Sequence, residues 1–163
     1  MEIKKLFQMQ QALDAHIEQK HGLHDADLFD KKVLALLVEI GELANETRCF
    51  KFWSVKPSSS KQVVLEEFVD GVHFILSLGI ACGFNENTFE IEPAEPERSA
   101  TEQFLHVYEL IGIFQKSRAF TDYKKLFEAY LTLSTVLGFT GGEIEQAYFA
   151  KNEVNYQRQQ NNY

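Results

Sequence analysis

Apolar residues recur at three- and four-residue steps along most of the chain. Leu6, Met9, Leu13 and Ile17 make one such stripe and predict an amphipathic helix over about residues 2–19. After a short connector at residues 21–29, a second helix is expected over about residues 30–52, with Asp30 as its N-cap. Its apolar positions near residues 33–38 fall on nearly every side, the pattern of a central helix. Pro57 and the serines that follow break the periodicity as a loop. A third helix, over about residues 61–82, stops at Gly83. Residues 84–100 change in composition, with Asn85, Asn87, Pro93, Pro96 and a run of glutamates, and are expected as an exposed acidic loop. Two more helices follow at about 101–116 and 121–137, the second ending at Gly138, and a last one opens near Gly142. No alternating Val/Ile/Thr-rich stretch competes as a strand. The expected fold is all-α, a bundle of about six helices forming a single domain over residues 1–163.

A weak internal echo accompanies this pattern. Leu76, Leu78, Gly83 and Phe84 repeat the spacing of Leu131, Leu133, Gly138 and Phe139. Duplication and two ordinarily capped apolar helices both account for it.

Composition narrows the functional classes. Hydrophobic residues make up 45% of the 163 positions and aromatics 13%, enough to build a core. The formal charge is −8, and no basic stripe of the kind that neutralises duplex phosphates is present, so a nucleic-acid polymer is not the expected partner. An acidic chain that handles a phosphorylated small molecule needs cations to mediate the contact. Cys49 and Cys82 have no CxxC spacing and are expected as buried free thiols. The longest apolar run, residues 72–83, carries His73 and is too short to span a bilayer. With no leader-like start, a soluble, reducing, cytoplasmic setting is expected.

The chemistry concentrates in two acidic clusters. Glu39, Glu42 and Glu46 stand at i, i+3 and i+7, which at about 100° per residue places them within an arc of roughly 60°. Glu67 and Asp70, with Glu66 beside them, repeat the i, i+3 step on the next helix. Like charges on one helix face repel unless a cation sits between them, and these interrupt hydrophobic helices. Two adjacent antiparallel helices would aim Glu39, Glu42, Glu67 and Asp70 into one site. Oxygen ligands of this kind suit Mg²⁺ or Mn²⁺, and two ions could bridge a polyphosphate and an attacking water. A solvated acidic face is the alternative. Di-iron bundles require Glu-x-x-His pairs, which neither Glu39 nor Glu67 begins.

Near the C-terminus, Lys151, Asn155 and Arg158 share a second helical face and could hold phosphate oxygens. A solvated basic helix end is the competing account. Trp53, after Lys51, and Phe74, one turn beyond Asp70, could supply a stacking surface, with His73 beside it. Gln8, Gln10, Gln11 and Asp14 on the first helix could read a pyrimidine edge, although glutamine on a surface helix usually reads nothing.

Together, Glu39-x-x-Glu42, Glu67-x-x-Asp70-x-x-His73-Phe74 and Lys151-x3-Asn155-x2-Arg158-Gln159 resemble the dimeric dUTPase family. That family belongs to the all-α NTP pyrophosphatase superfamily, which includes the MazG-like enzymes. The resemblance implies hydrolysis of dUTP, and of dUDP, to dUMP, with pyrophosphate released from dUTP by attack on the β-phosphorus. It implies Mg²⁺ at Glu39, Glu42, Glu67 and Asp70, two or more ions, with Mn²⁺ as a substitute. Glu42, with Glu39, would be catalytic, Glu42 orienting or deprotonating the water. Lys151, Asn155 and Arg158 would clamp the phosphates. Gln10, Trp53 and Phe74 would form the base pocket, with Asp14, Lys51 and His73 around the base and sugar. A homodimer is implied. Relatives often carry asparagine where Asp14 stands, and a carboxylate prefers different base edges from an amide. The segment after the phosphate row, ending at Asn162 and Tyr163, is expected to be abbreviated. Two other readings stay open: a pyrophosphatase for dCTP or other nucleotides, and a helical regulatory protein whose acidic surface binds a protein partner.

Overall fold

A computed structural model describes residues 1–23 and 25–161. His24 of the connector, and Asn162 and Tyr163 of the expected short tail, lie outside the described residues. The chain folds into α1 (Ile3–Lys20), α2 (Phe29–Thr47), α3 (Lys61–Ala81), a single 3₁₀ turn (Phe84–Glu86), α4 (Ala100–Ser117), α5 (Phe120–Val136) and α6 (Gly141–Gln160). Among the described residues there is no strand, so the all-α expectation holds.

Local chemistry sets most of the helix ends. Ser60 accepts a hydrogen bond from the Val63 N–H at the start of α3. Ser99 with Glu102, and Thr140 with Glu143, form reciprocal capping boxes at the starts of α4 and α6. Gly83 and Gly138 take positive φ values of 75° and 79° just beyond α3 and α5. The sequence echo therefore corresponds to two helices with the same type of ending.

α2 departs from expectation at both ends. Asp30 lies in its first turn, and Asp27 accepts the Phe29 N–H at 3.1 Å instead. The helix ends at Thr47, five residues early. Thr47 Oγ1 donates back to the Ala44 carbonyl at 2.8 Å, and Arg48 turns left-handed with φ 58°. The Arg48 guanidinium then holds the following loop through the Lys56 carbonyl and Ser54. These polar bonds compete successfully with continued helix, so Phe50, Phe52 and Trp53 leave the helical stripe and are exposed. Cys49 falls in the same turn and is exposed, not buried; Cys82 is half-buried, and both are free.

α3, rather than α2, is the central helix. Leu34 and Val38 of α2 are 62% and 50% exposed, so the outer side of α2 is left uncovered by the described residues. α3 is packed by α1, α2, α5 and α6. Two tyrosines of α5 reach closely onto its backbone. Tyr130 donates to the Phe68 carbonyl at 2.9 Å and Tyr123 to the Ile75 carbonyl at 3.0 Å. Both rings are fully buried, and Tyr130 stacks on Phe68 at 4.4 Å. The approach requires Gly71 and Gly79, where a Cβ would lie 2.1 Å from the Tyr130 hydroxyl and 2.4 Å from the Tyr123 hydroxyl.

The acidic segment after α3 is only partly a free loop. Its glutamates face solvent, but Ile91 is buried and Phe89 packs edge-on to Phe7 and Phe120. The Ala94 N–H also donates to Thr132 Oγ1 at 2.9 Å, fastening the segment to α5. No helix among the described residues is long and apolar enough to cross a membrane.

Candidate active site

α2 and α3 run side by side, with Glu46 meeting Ser59 towards one end and Glu39 facing Asp70 farther along. This pairing converts two helical carboxylate rows into one cluster. One oxygen each from Glu39, Glu67 and Asp70 lies within 4.8 Å of the others. Glu42 is exposed at the edge of the cluster, close enough for its charge to act on Glu39, Glu67 and Asp70. Glu66 points away and bonds Gln62.

The cluster is electrostatically uncomfortable. Burial, then the charges of Asp70, Glu42 and Glu67, push the Glu39 carboxyl up to about 7. Burial and the same kind of repulsion raise Glu67. Burial also raises Asp70, although Lys151 opposes it through a 2.6 Å bond from Nζ to Oδ2, and Arg158 adds a weaker attraction. Half-buried carboxylates that share a site and repel one another are a good ligand set for a hard divalent cation, whose charge removes the repulsion. The oxygen-only donors fit Mg²⁺ or Mn²⁺, and no histidine or thiol joins them in the cluster.

Behind Asp70 lies a polar knot drawn from four helices. Gln10 of α1 is 3% exposed, and its Nε2 donates to Asp14 Oδ1 at 2.8 Å. Its Oε1 lies 2.7 Å from His73 Nδ1 and accepts the Tyr148 hydroxyl at 2.8 Å. Asp14 Oδ2 accepts from the Ser77 hydroxyl at 2.5 Å and pairs with Lys32 Nζ at 3.4 Å. The His73 ring stacks on Tyr148 at 4.2 Å, and burial, helped by Lys151, pushes its pKa down to about 3. His73 is therefore neutral at physiological pH.

A cleft of about 220 Å³ joins the carboxylates to this knot. Its lining includes Gln10, Asp14, His73 and Phe74 with Glu39 and Asp70, and Asn155 and Arg158 of α6. Lys151 reaches the cluster through Asp70. The sequence-predicted residues thus gather in one place, with two exceptions. Lys51 bonds Asn45, and Trp53 is 64% exposed among Phe50 and Phe52, so neither lines the cleft within this chain.

The knot also holds residues whose roles sequence reasoning missed. Ser77 is one helical turn beyond His73 and two beyond Asp70, a spacing that places it on the same face. Tyr148 lies three residues before Lys151 on α6. Lys32 carried no such signal, because its partner Asp14 is on another helix. A larger cavity of about 880 Å³ lies among the start of α1, residues 89–93 and α6. It does not include the carboxylate cluster, and the smaller cleft is the site with converging chemistry.

A family model described as dUTPase matches residues 2–163. No curated protein matches the chain.

Proposed function

The chain belongs to the dUTPase family and is a dUTP-hydrolysing enzyme, and from that premise we propose a Mg²⁺-dependent conversion of dUTP, and of dUDP, to dUMP, carried out by one domain. The convergence of Glu39, Glu67 and Asp70 within 4.8 Å, beside the lysine-bearing face of α6, carries this reading. With dUTP, water oxygen bonds to the β-phosphorus, the bridging oxygen leaves with dUMP, and pyrophosphate is released.

Glu39, Glu67 and Asp70, with Glu42, would hold a divalent cation, which would supply charge to neutralise the polyphosphate and acidify the attacking water. Glu42, the most accessible carboxylate of the four, orients that water and takes its proton, with Glu39 beside it. Lys151, Asn155 and Arg158 hold phosphate oxygens and stabilise the charge that develops during transfer. Lys151, bonded to Asp70, would also reach a phosphate oxygen beside the cluster. Gln10 faces the base, Phe74 offers it an apolar wall, and His73 with Asp14 supports that end of the cleft.

A homodimer completes the proposal. Leu34, Val38, Leu105, Phe52 and Trp53 are all at least half exposed, apolar surface that a second copy would cover. Lys51 and Trp53 would join the base end of a site in that assembly. Sedimentation at dilute and concentrated protein tests it, and a monomer at every concentration refutes it.

The decisive assay follows product from dUTP, dUDP, dCTP, dTTP and UTP with Mg²⁺ and with chelator. The expected result is metal-dependent dUMP formation from dUTP and dUDP, with dTTP untouched. Undiminished turnover in chelator refutes the metal role. Equal turnover of dCTP moves the base specificity while leaving the carboxylate chemistry in place.

A further inference from the structure

We propose that Asp14 is a positioning residue: its acceptor-only carboxylate fixes the orientation of the Gln10 amide and, through it, the tautomer of His73, so that the free Gln10 N–H presents a donor to a base carbonyl. The base-facing consequence rests on the dUTPase reading of the cleft, whereas the tautomer does not.

The logic is one of donors and acceptors. A carboxylate accepts hydrogen bonds and donates none. Asp14 already accepts from Ser77 and pairs with Lys32 on Oδ2, and Oδ1 faces Gln10 at 2.8 Å. The Gln10 group turned towards it must therefore be the NH₂. That leaves Gln10 Oε1 towards Tyr148 and His73, where it accepts from both. His73 Nδ1 must then carry the proton, and Nε2 is bare. The reversed amide would set its oxygen against a carboxylate oxygen and lose the bond from Tyr148. Nε2 of His73 is buried without a partner among the described residues. A bare acceptor is better tolerated there than an orphaned N–H, which agrees with the same tautomer. Because His73 is held neutral by burial, the pattern does not change over the physiological pH range.

One hydrogen of Gln10 Nε2 is spent on Asp14. The second has no acceptor among the described residues, and Gln10 lines the cleft. Set against position 4 of the ring, where uracil has a carbonyl oxygen and cytosine an amino group, the fixed donor favours uracil; the O2 carbonyl is common to both bases. Asp14 therefore acts through Gln10. Both of its oxygens are engaged within the protein, and the base preferences of a free carboxylate do not apply to it.

The test is imidazole ¹⁵N NMR of the full-length protein without nucleotide, with His73 assigned from the spectrum of H73Q. The wild type is expected to show a single neutral tautomer at His73, protonated on Nδ1. Protonation on Nε2, or a mixture of tautomers, overturns the proposal whether or not any variant folds. In Asp14→Asn the amide at position 14 can donate as well as accept, and the His73 signal is expected to become mixed. In Lys32→Met the acceptor remains, and the signal is expected to stay as in wild type. With substrate, Asp14→Asn should raise KM for dUTP about tenfold with kcat changed much less, and lower the dUTP-to-dCTP preference. An unchanged preference in a folded Asp14→Asn overturns the specificity role. If the wild type turns over neither nucleotide, the dUTPase reading fails separately, and the tautomer result stands by itself.

Discussion

The two flanks of α3 solve opposite problems. Towards α5, the helix offers Gly71 and Gly79, and two buried tyrosines close against its carbonyls with no net charge involved. Towards α2, the same helix offers Glu67 and Asp70 to a facing Glu39, and burial, with repulsion from neighbouring carboxylates, raises the pKa of all three. One flank is fully satisfied by the chain itself. The other gathers carboxylates, with Lys151 bonded to Asp70 and Arg158 attracting it. A single helix thus carries a rigid neutral joint and a repulsive acidic face less than one turn apart.

That contrast predicts unequal effects. The largest is on chemistry: Glu67→Gln should lower kcat/KM for dUTP by about a thousandfold, roughly 4 kcal/mol of transition-state stabilisation. Its thermal stability in chelator should be equal to or above wild type, because a repelling charge has gone. A variant that loses stability and retains activity would reverse the assignment of the two flanks.

The next effect is on folding. Gly71→Ala places a Cβ 2.1 Å from the hydroxyl of a fully buried Tyr130 and should cost about 3 kcal/mol in urea unfolding. The double change with Tyr130→Phe should recover part of that loss, since the clashing oxygen is absent. No recovery would mean that the ring, rather than its hydroxyl, sets the approach.

The smallest effect is electrostatic. Glu39 is at about 7 in the folded protein against 4.5 as a free side chain. Between those values the folded state holds a proton that the unfolded chain has released, so stability in chelator should fall as pH rises from about 4.5 to 7. Solvent screening of this half-exposed group limits the change to about 1 kcal/mol. Melting temperatures across that range should show the slope in wild type, a flatter one in Glu39→Gln, and a shift towards higher stability when Mg²⁺ is added. A rise in stability with pH in chelator would show that the cluster is not repulsive.

Legibility in the sequence followed the range of the interactions involved. The helices of α1 and α3 to α6 were readable within a residue or two because apolar periodicity and stops such as Gly83 and Gly138 are local. The acidic rows were readable for the same reason, since i, i+3 spacing on one helix places side chains on one face. α2 was misjudged where side chains of the next loop intervene: Arg48 bonding Ser54 and Lys56 ends the helix before Phe52. Its apolar positions suggested a central helix, yet periodicity cannot distinguish burial within the chain from apolar surface left exposed at Leu34 and Val38.

The sequence by itself determined the class of fold, the acidic rows on two helices, the cationic row near the C-terminus, and the −8 charge. Each of these is a property of residue type and helical spacing. Only the tertiary structure decided that Glu39, Glu67 and Asp70 converge while Glu42 stays at the edge, and that Asp14 is enclosed by Lys32, Ser77 and Gln10. Those outcomes depend on which faces of α1, α2, α3 and α6 meet. Helix packing sets that by shape and burial across the whole chain, and no local pattern encodes it.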